Sequence, residues 1–399
     1  MDRLVNTVRP YAWGSVTAIP ELLGQQPTGQ PQAELWMGAH PGAPSRVDRG
    51  DGPRPLDELI AADPQGELGA AAVAGFGPGL PFLFKVLAAG IPLSIQAHPT
   101  LAQARAGFAD EQARGIPLDA PERNYRDANH KPELICALDA FDGLCGFRHP
   151  TDAADLIAGL RVPALDPVIA ILRGRPEGEA LREALAAILS MDGATTAAVV
   201  GEVAEAVVRA AETDPAGPYA AYTRITRTFP GDIGLIAGML LNHIRLQPGE
   251  ALYLGAGVPH GYLYGTAVEI MANSDNVLRA GLTPKHIDVP ELLRIVEFEA
   301  AAPDVLRPVP VADNPGEGLY PVPIDEFRLS RFDLGTEPRR IDGRAPQILL
   351  CTAGTARLTA ADGSTVDLAR GESAFLPATG KDTELAGPGA TLFRATVTL

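Results

Sequence analysis

The stretch Gly249-Glu250-Ala251-Leu252-Tyr253-Leu254 returns late in the chain as Gly371-Glu372-Ser373-Ala374-Phe375-Leu376. Each copy opens on a Gly-Glu turn and continues as a strand of alternating small and large apolar residues. Glycine supplies the backbone freedom a tight turn needs, and alternation at period two commits one face of a strand to a core. Such a phrase is typical of small jelly-roll barrels. Just beyond the strand the copies diverge. The first runs through Gly257-Val258-Pro259 to His260; the second has Asp382 at the matching offset, and no histidine follows His286. The expectation is one barrel equipped for a metal and one degenerate copy kept for its fold.

Working outward, residues 1–150 read as β-rich with irregular connections. Phe82 to Leu87 is a strand candidate, Ala89-Gly90-Ile91-Pro92 a turn, and Leu93 to His98 a second strand. Residues 151–230 change character. Apolar residues recur there at helical spacing, as in Ala197, Val200, Val203, Val207 and Val208, and Gly and Pro around 174–178 and 215–218 separate the helices. No cluster of chemistry-bearing residues lies in this segment, so its expected role is structural. From Leu246 the β pattern returns, with a Pro-rich joint around 308–323. The expected fold is mainly β with a helical insert: two cupin-type jelly-roll barrels, the C-terminal one degenerate, and an α-helical domain. The expected division is a catalytic domain of residues 1–150 with 231–315, a helical insert over 151–230 and a C-terminal barrel over 316–399.

With 399 residues the chain has room for more than one core. Residues 1–6 show no basic region leading into an apolar stretch, so no signal peptide is expected. No apolar run approaches the roughly 20 residues of a membrane helix, and three cysteines without metal-like spacing suit reduced thiols in a cytoplasm. A net charge of −16 argues against a nucleic-acid partner and requires any anionic substrate to be met by a local group of cations. Of 33 basic residues only Lys85, Lys131, Lys285 and Lys381 are lysines. A drift from lysine to arginine spares positions where a compact, titratable ammonium differs from a planar, permanently charged fork. Three of the four fall within the motifs below.

In Leu93-Ser94-Ile95-Gln96-Ala97-His98-Pro99, alternation places Ser94, Gln96 and His98 on one strand face. Inside a small barrel, Gln96 and His98 would offer a carbonyl oxygen and an imidazole to one cation. In Asn129-His130-Lys131-Pro132-Glu133, Pro132 favours an extended chain at Lys131, so Lys131 and Glu133 share a face. Val258-Pro259-His260-Gly261-Tyr262 adds a histidine just after a barrel strand. Taken singly, each segment reads equally as a solvated strand face, a surface ion pair or a satisfied polar histidine. Together Gln96, His98, Glu133 and His260 form an N/O donor set that suits one zinc per chain, and also manganese, iron or cobalt.

These segments resemble the type I mannose-6-phosphate isomerases, a family within the cupin superfamily. The similar phrases are Tyr11 to Ser15, Ala33 to Pro41, Leu80 to Pro99, Asn129 to Glu133, Leu144 to Arg148, Gly257 to Tyr264 and Ser274 to Lys285. They run in the family's order over most of residues 1–290. The resemblance implies zinc ligands at Gln96, His98, Glu133 and His260 and an active-site arginine at Arg279. It also implies pocket positions at Trp13, Ser94, Lys131, Tyr262, Glu269 and Lys285. Ala280 stands where a second glycine is expected. The implied reaction interconverts mannose 6-phosphate and fructose 6-phosphate through an enediol.

For that reaction Arg279, which does not deprotonate, is assigned to holding negative charge. Lys285, with Lys85, would complete the phosphate pocket. Lys131 stands open between proton carrier and phosphate contact, with Glu269 and His130 as rival bases. Expected partners are a small sugar phosphate only, with no nucleic acid or membrane, acting on a monomer. Rival readings are a cupin-type glucose-6-phosphate isomerase, an iron-dependent cupin oxygenase and a non-catalytic sugar-phosphate sensor.

Overall fold

Thirteen residues, His260–Ala272, form the strand around which the largest sheet is built. Its sequence is largely apolar on both faces, and every residue but Tyr264 is buried, as expected of a strand covered on two sides. The computed structural model describes residues 1–191, 193–314 and 316–399, the side chains of 194 and 195 excepted. From Gly265 onward this strand pairs with Phe82–Ala89, and Ala267 to Met271 also pair with strand Glu133–Ala137. Its first residues pair with Phe141–Phe147, and His260 lies directly opposite Gln96 of the short strand Ile95–Ala97. That short strand also pairs with Leu278–Gly281, setting Arg279 against Gln96. Directly paired residues point to the same side of a sheet. Register alone therefore lines up Arg279, Gln96 and His260 across three strands.

A second, seven-stranded sheet runs through Ser373–Leu376, Gln347–Ala353, Thr391–Thr396 and Arg328–Asp333, and it recruits Asp2–Arg3 from the N-terminus. A four-stranded sheet, including Thr355–Ala360 and Thr383–Ala386, shares a core with it through Phe332, Leu349, Leu358, Leu385 and Leu392. The opposite face of the seven-stranded sheet packs on the ten-stranded one through Phe327, Ile348, Phe375 and Phe393 against Phe82, Phe84 and Ile270. The repeated turns share one construction. Gly249 and Gly371 adopt φ of 87° and 86°. The Glu250 carboxylate accepts the Gln247 N–H at 2.9 Å, and that of Glu372 accepts the Ala369 N–H at 2.8 Å.

Helices fill the segment after 150, including Glu177–Leu189 and Gly193–Thr213, and they share a core with Ile95, Leu144 and Leu278 of the large sheet. Val200, Val203 and Val207 are buried there, whereas Val208 is exposed; successive helical residues lie about 100° apart, so 207 and 208 cannot share a face. Two expectations need correction. Residues 1–150 also contain helices, the longest being Leu101–Ala113. The Thr100 and Gln103 side chains form a reciprocal capping box at its start. The strand expected over Leu93 to His98 shrinks to Ile95–Ala97, because Pro92 and Pro99 flank it and supply no ladder N–H.

Candidate metal centre and substrate cleft

His98 and His260, far apart in sequence, bring their rings to 5.2 Å between centroids. Glu133 stands between them: its Oε1 is 3.4 Å from His98 Nε2 and its Oε2 is 3.3 Å from His260 Nε2. The Gln96 amide lies 3.4 Å from His260 Nε2. One ligand atom from each of His98, Glu133 and His260 falls within 4.8 Å of the others. All three are buried.

Each histidine has its second nitrogen committed elsewhere. Nδ1 of His98 is 2.8 Å from the Asn276 carbonyl, and Nδ1 of His260 is 2.9 Å from that of Val258. A carbonyl only accepts, so both rings carry the proton on Nδ1 and turn a bare Nε2 toward Glu133. Nε2 of His98 is fully buried and makes no hydrogen bond. A buried acceptor without a partner costs free energy. Such an atom aimed at a carboxylate and a second bare Nε2 fits a divalent cation held between them. Burial, reinforced by the Lys131 ammonium, lowers His98 to about 4, leaving its ring neutral and able to ligate. Burial works to raise the Glu133 carboxyl, but the Lys131 ammonium, 2.7 Å away, outweighs it and holds it well below the usual range.

Beside this centre opens a cleft of about 600 Å³. Gln96 and Glu133 face it, together with Trp13, Ser94, Lys131, Tyr262, Glu269, Arg279 and Lys285; His98 and His260 adjoin it through Glu133. Lys85, Lys131 and Lys285, three of the chain's four lysines, all line it. One wall is a buried polar chain. Glu269 accepts the Tyr262 hydroxyl at 2.8 Å and pairs with Lys85 at 2.6 Å; Lys85 reaches Glu34 at 3.1 Å, and Glu34 accepts the Trp36 indole N–H at 2.7 Å. Burial raises Glu269 against the pull of Lys85, with Glu133 and Glu34 adding to the rise. Lys85 is raised because Glu269, Glu34 and Glu133 together overcome its burial.

Another part of the lining is cationic. Arg279 and Lys285 have no side-chain partner among the described residues. Burial lowers both; Arg126 adds to the lowering of Arg279, and Arg279 and Arg126 to that of Lys285. His130 takes no part in the cleft lining: its Nε2 is 2.7 Å from Glu326. Sequence reading missed several contributors. Thr228 and Phe229, from the helical segment assigned a purely structural role, line the cleft. Asp232 accepts the N–H groups of Gly234, Leu282 and Thr283 at 2.7, 2.8 and 3.0 Å, bracing a turn in which Leu282 holds φ of 58°. A Gly-Asp turn signals local capping, and nothing in it points fifty positions ahead.

Three buried N and O donors, His98, Glu133 and His260, converge with the half-buried Gln96 beside them at the edge of a cleft lined by cations, and they define a β-rich protein with a candidate site for a divalent ion. Residues 1–150 match the family model described as phosphomannose isomerase type I, catalytic domain. The chain is 43% identical to the mannose-6-phosphate isomerase of Escherichia coli (strain K12) over 98% of each sequence. It is 35% identical to that of Macaca fascicularis, covering 87% of this chain and 86% of the relative. It superposes with a TM-score of 0.91 on the crystal structure of mannose 6-phosphate isomerase from Salmonella typhimurium bound to substrate and zinc, at 41% identity over the whole of both chains. This chain belongs to the type I phosphomannose isomerase family. Among its described residues no helix is long and apolar enough to cross a membrane.

Proposed function

We propose that this protein is a zinc-dependent mannose-6-phosphate isomerase, a reversible aldose–ketose isomerase acting on mannose 6-phosphate and fructose 6-phosphate. The observation that carries the reading is the donor set itself: two bare Nε2 atoms and a depressed carboxylate around one buried point, opening into a cleft with unpaired cations. His98, His260, Glu133 and Gln96 would hold the ion, one per chain. When bound, it supplies a Lewis acid that favours the developing enediolate over the neutral sugar.

The chain's own groups divide the remaining work. Arg279 and Lys285 bind negative charge, phosphate at the outer end of the cleft and enediolate at the inner end, where Arg279 neighbours Gln96 in the sheet. Trp13 and Ser94 shape the sugar subsite. Tyr262 and Glu269 orient hydroxyls through the chain anchored by Lys85. Two groups in the cleft are suited to moving a proton between C1 and C2. Lys131 sits beside Glu133, and Glu269 has a raised carboxyl; Lys131 is assigned that role here. His130, tied to Glu326 outside the cleft lining, is not a candidate.

The fold reading that accompanies this function is two cupin-type barrels, the second degenerate. A catalytic unit of 1–150 with 231–315 would be followed by a C-terminal unit of 316–399, with 151–230 inserted. The matching construction of the Gly249 and Gly371 turns supports it. The reading takes the protein as a monomer, and three free, buried cysteines suit a cytoplasmic setting. Coupled assays with mannose 6-phosphate and glucose 6-phosphate, with and without a chelator, test the function. Chelator-sensitive turnover of the mannose epimer is expected. Turnover of the glucose epimer alone would assign the chain to the rival isomerase.

A further inference from the structure

Asn276 belongs neither to the donor set nor to the cleft lining, yet its side chain is fully buried and its amide is saturated. Oδ1 accepts the backbone N–H of Arg126 at 2.7 Å and of Asp127 at 3.3 Å. Nδ2 donates to the carbonyls of Asp127 and Asn129, both at 2.8 Å, and reaches Asp127 Oδ1 at 3.3 Å. An amide has two donor hydrogens and an oxygen with two lone pairs, and here all are used. The same residue's carbonyl is the acceptor for His98 Nδ1–H at 2.8 Å. Its own N–H donates to Ser274 Oγ at 3.2 Å, and that hydroxyl donates to the Asn129 carbonyl at 3.2 Å.

We infer that Asn276 is a positioning residue that locks the metal-facing histidine His98 and the segment leading into Lys131 and Glu133 to a single frame. The inference rests on the proposed zinc-dependent function and deepens it. Segment 126–129 is irregular backbone with no sheet partner, and a flexible chain there would let Lys131 drift from Glu133. Glu133 is held by its strand partners Leu254 and Met271, and Pro132 leaves few backbone states before it, so a fixed Asn129 fixes Lys131 against a Glu133 that the sheet already holds. On the other side, the Asn276 carbonyl selects the His98 tautomer and ring angle; outer partners of this kind are worth roughly 10- to 100-fold in metal affinity. The grip on Arg126 also holds that residue near the cationic wall, where its charge is felt by Arg279 and Lys285.

The test compares the full-length wild type with Asn276→Ala, with the milder Ser274→Ala and with Gln347→Ala. The last removes an equally buried amide, bonded to Arg394 Nε at 2.6 Å in the seven-stranded sheet, outside the cleft. Zinc dissociation constants come from competition with a chromophoric chelator. Kinetic constants are measured with mannose 6-phosphate at saturating zinc, and Tm by calorimetry. Asn276→Ala keeps the carbonyl but frees it from segment 126–129, and should weaken zinc by more than twofold and up to about 10-fold and lower kcat/KM even when zinc is saturating. Ser274→Ala should shift both in the same direction by a smaller factor. Gln347→Ala should lower Tm and move neither. Zinc affinity and kinetics within twofold of wild type in Asn276→Ala would overturn the inference. Should that variant fail to fold, unchanged constants in Ser274→Ala would do the same. A wild type that neither binds zinc nor isomerises mannose 6-phosphate would overturn the functional reading itself.

Discussion

The neutral, buried imidazole of His98 gives the metal-free protein a calculable sensitivity to acid. In the unfolded chain this group titrates near 6.5, whereas burial and Lys131 bring it to about 4 in the fold. Between those values the unfolded state binds more protons than the native one, so stability rises with pH across the window and is lost as pH falls from 6.5 toward 4. Each tenfold difference in proton affinity between the two states is worth about 1.4 kcal/mol. Acidification from pH 7.0 to pH 4.5 should therefore cost about 2 kcal/mol through this group alone. The side chain is fully buried, so solvent screening does not dilute the effect. The assay is urea unfolding followed by far-UV circular dichroism, with chelator present, on wild type and His98→Gln. The wild type should lose about 2 kcal/mol more than the variant between the two pH values. Equal losses in the two proteins would refute the claim that His98 is held neutral in the apo site.

Glu133→Gln removes the one carboxylate of the donor set while keeping its shape. Competition with a chelator should show zinc bound at least 100-fold more weakly, about 3 kcal/mol or more, consistent with the value of a close charge pair at reduced dielectric. Asp232→Ala strips three N–H groups of their acceptor around the left-handed Leu282. About 2 kcal/mol of stability should go in urea titration, and KM for the sugar phosphate should rise as Lys285 loosens. Lys85→Met leaves Glu269 and Glu34 buried without their cation and should cost roughly 3 kcal/mol at pH 7.5. The loss should shrink at pH 5, because an orphaned Glu269, already raised by burial, takes up a proton there.

Much of the centre was legible because it is local. Alternation placed Ser94 and Gln96 on one face and Pro132 extended the chain from Lys131 to Glu133, and the structure has Lys131 and Glu133 in contact. The repeated Gly-Glu phrase announced two equivalent turns, and both are built alike. What sequence could not show is cross-strand register. That His260 sits opposite Gln96, and Arg279 on its other side, depends on pairings between strands more than 150 positions apart. The longest helix of the first 150 residues, Leu101–Ala113, carries a capping signature in Thr100-x-x-Gln103 but no apolar stripe at helical spacing, since it buries only Ala104, Gly107 and Glu111. Asn276, Asp232 and Glu34 carry no periodic signal. Their importance lies in backbone groups and cations brought to them by the fold.

An anomalous difference map at the zinc edge, from crystals of the zinc-loaded protein, tests the central claim most directly. One peak per chain is predicted, about 2.0–2.2 Å from Nε2 of both His98 and His260 and from Glu133, with Gln96 beside it. A zinc-loaded, active crystal whose peak lies anywhere else would contradict the account.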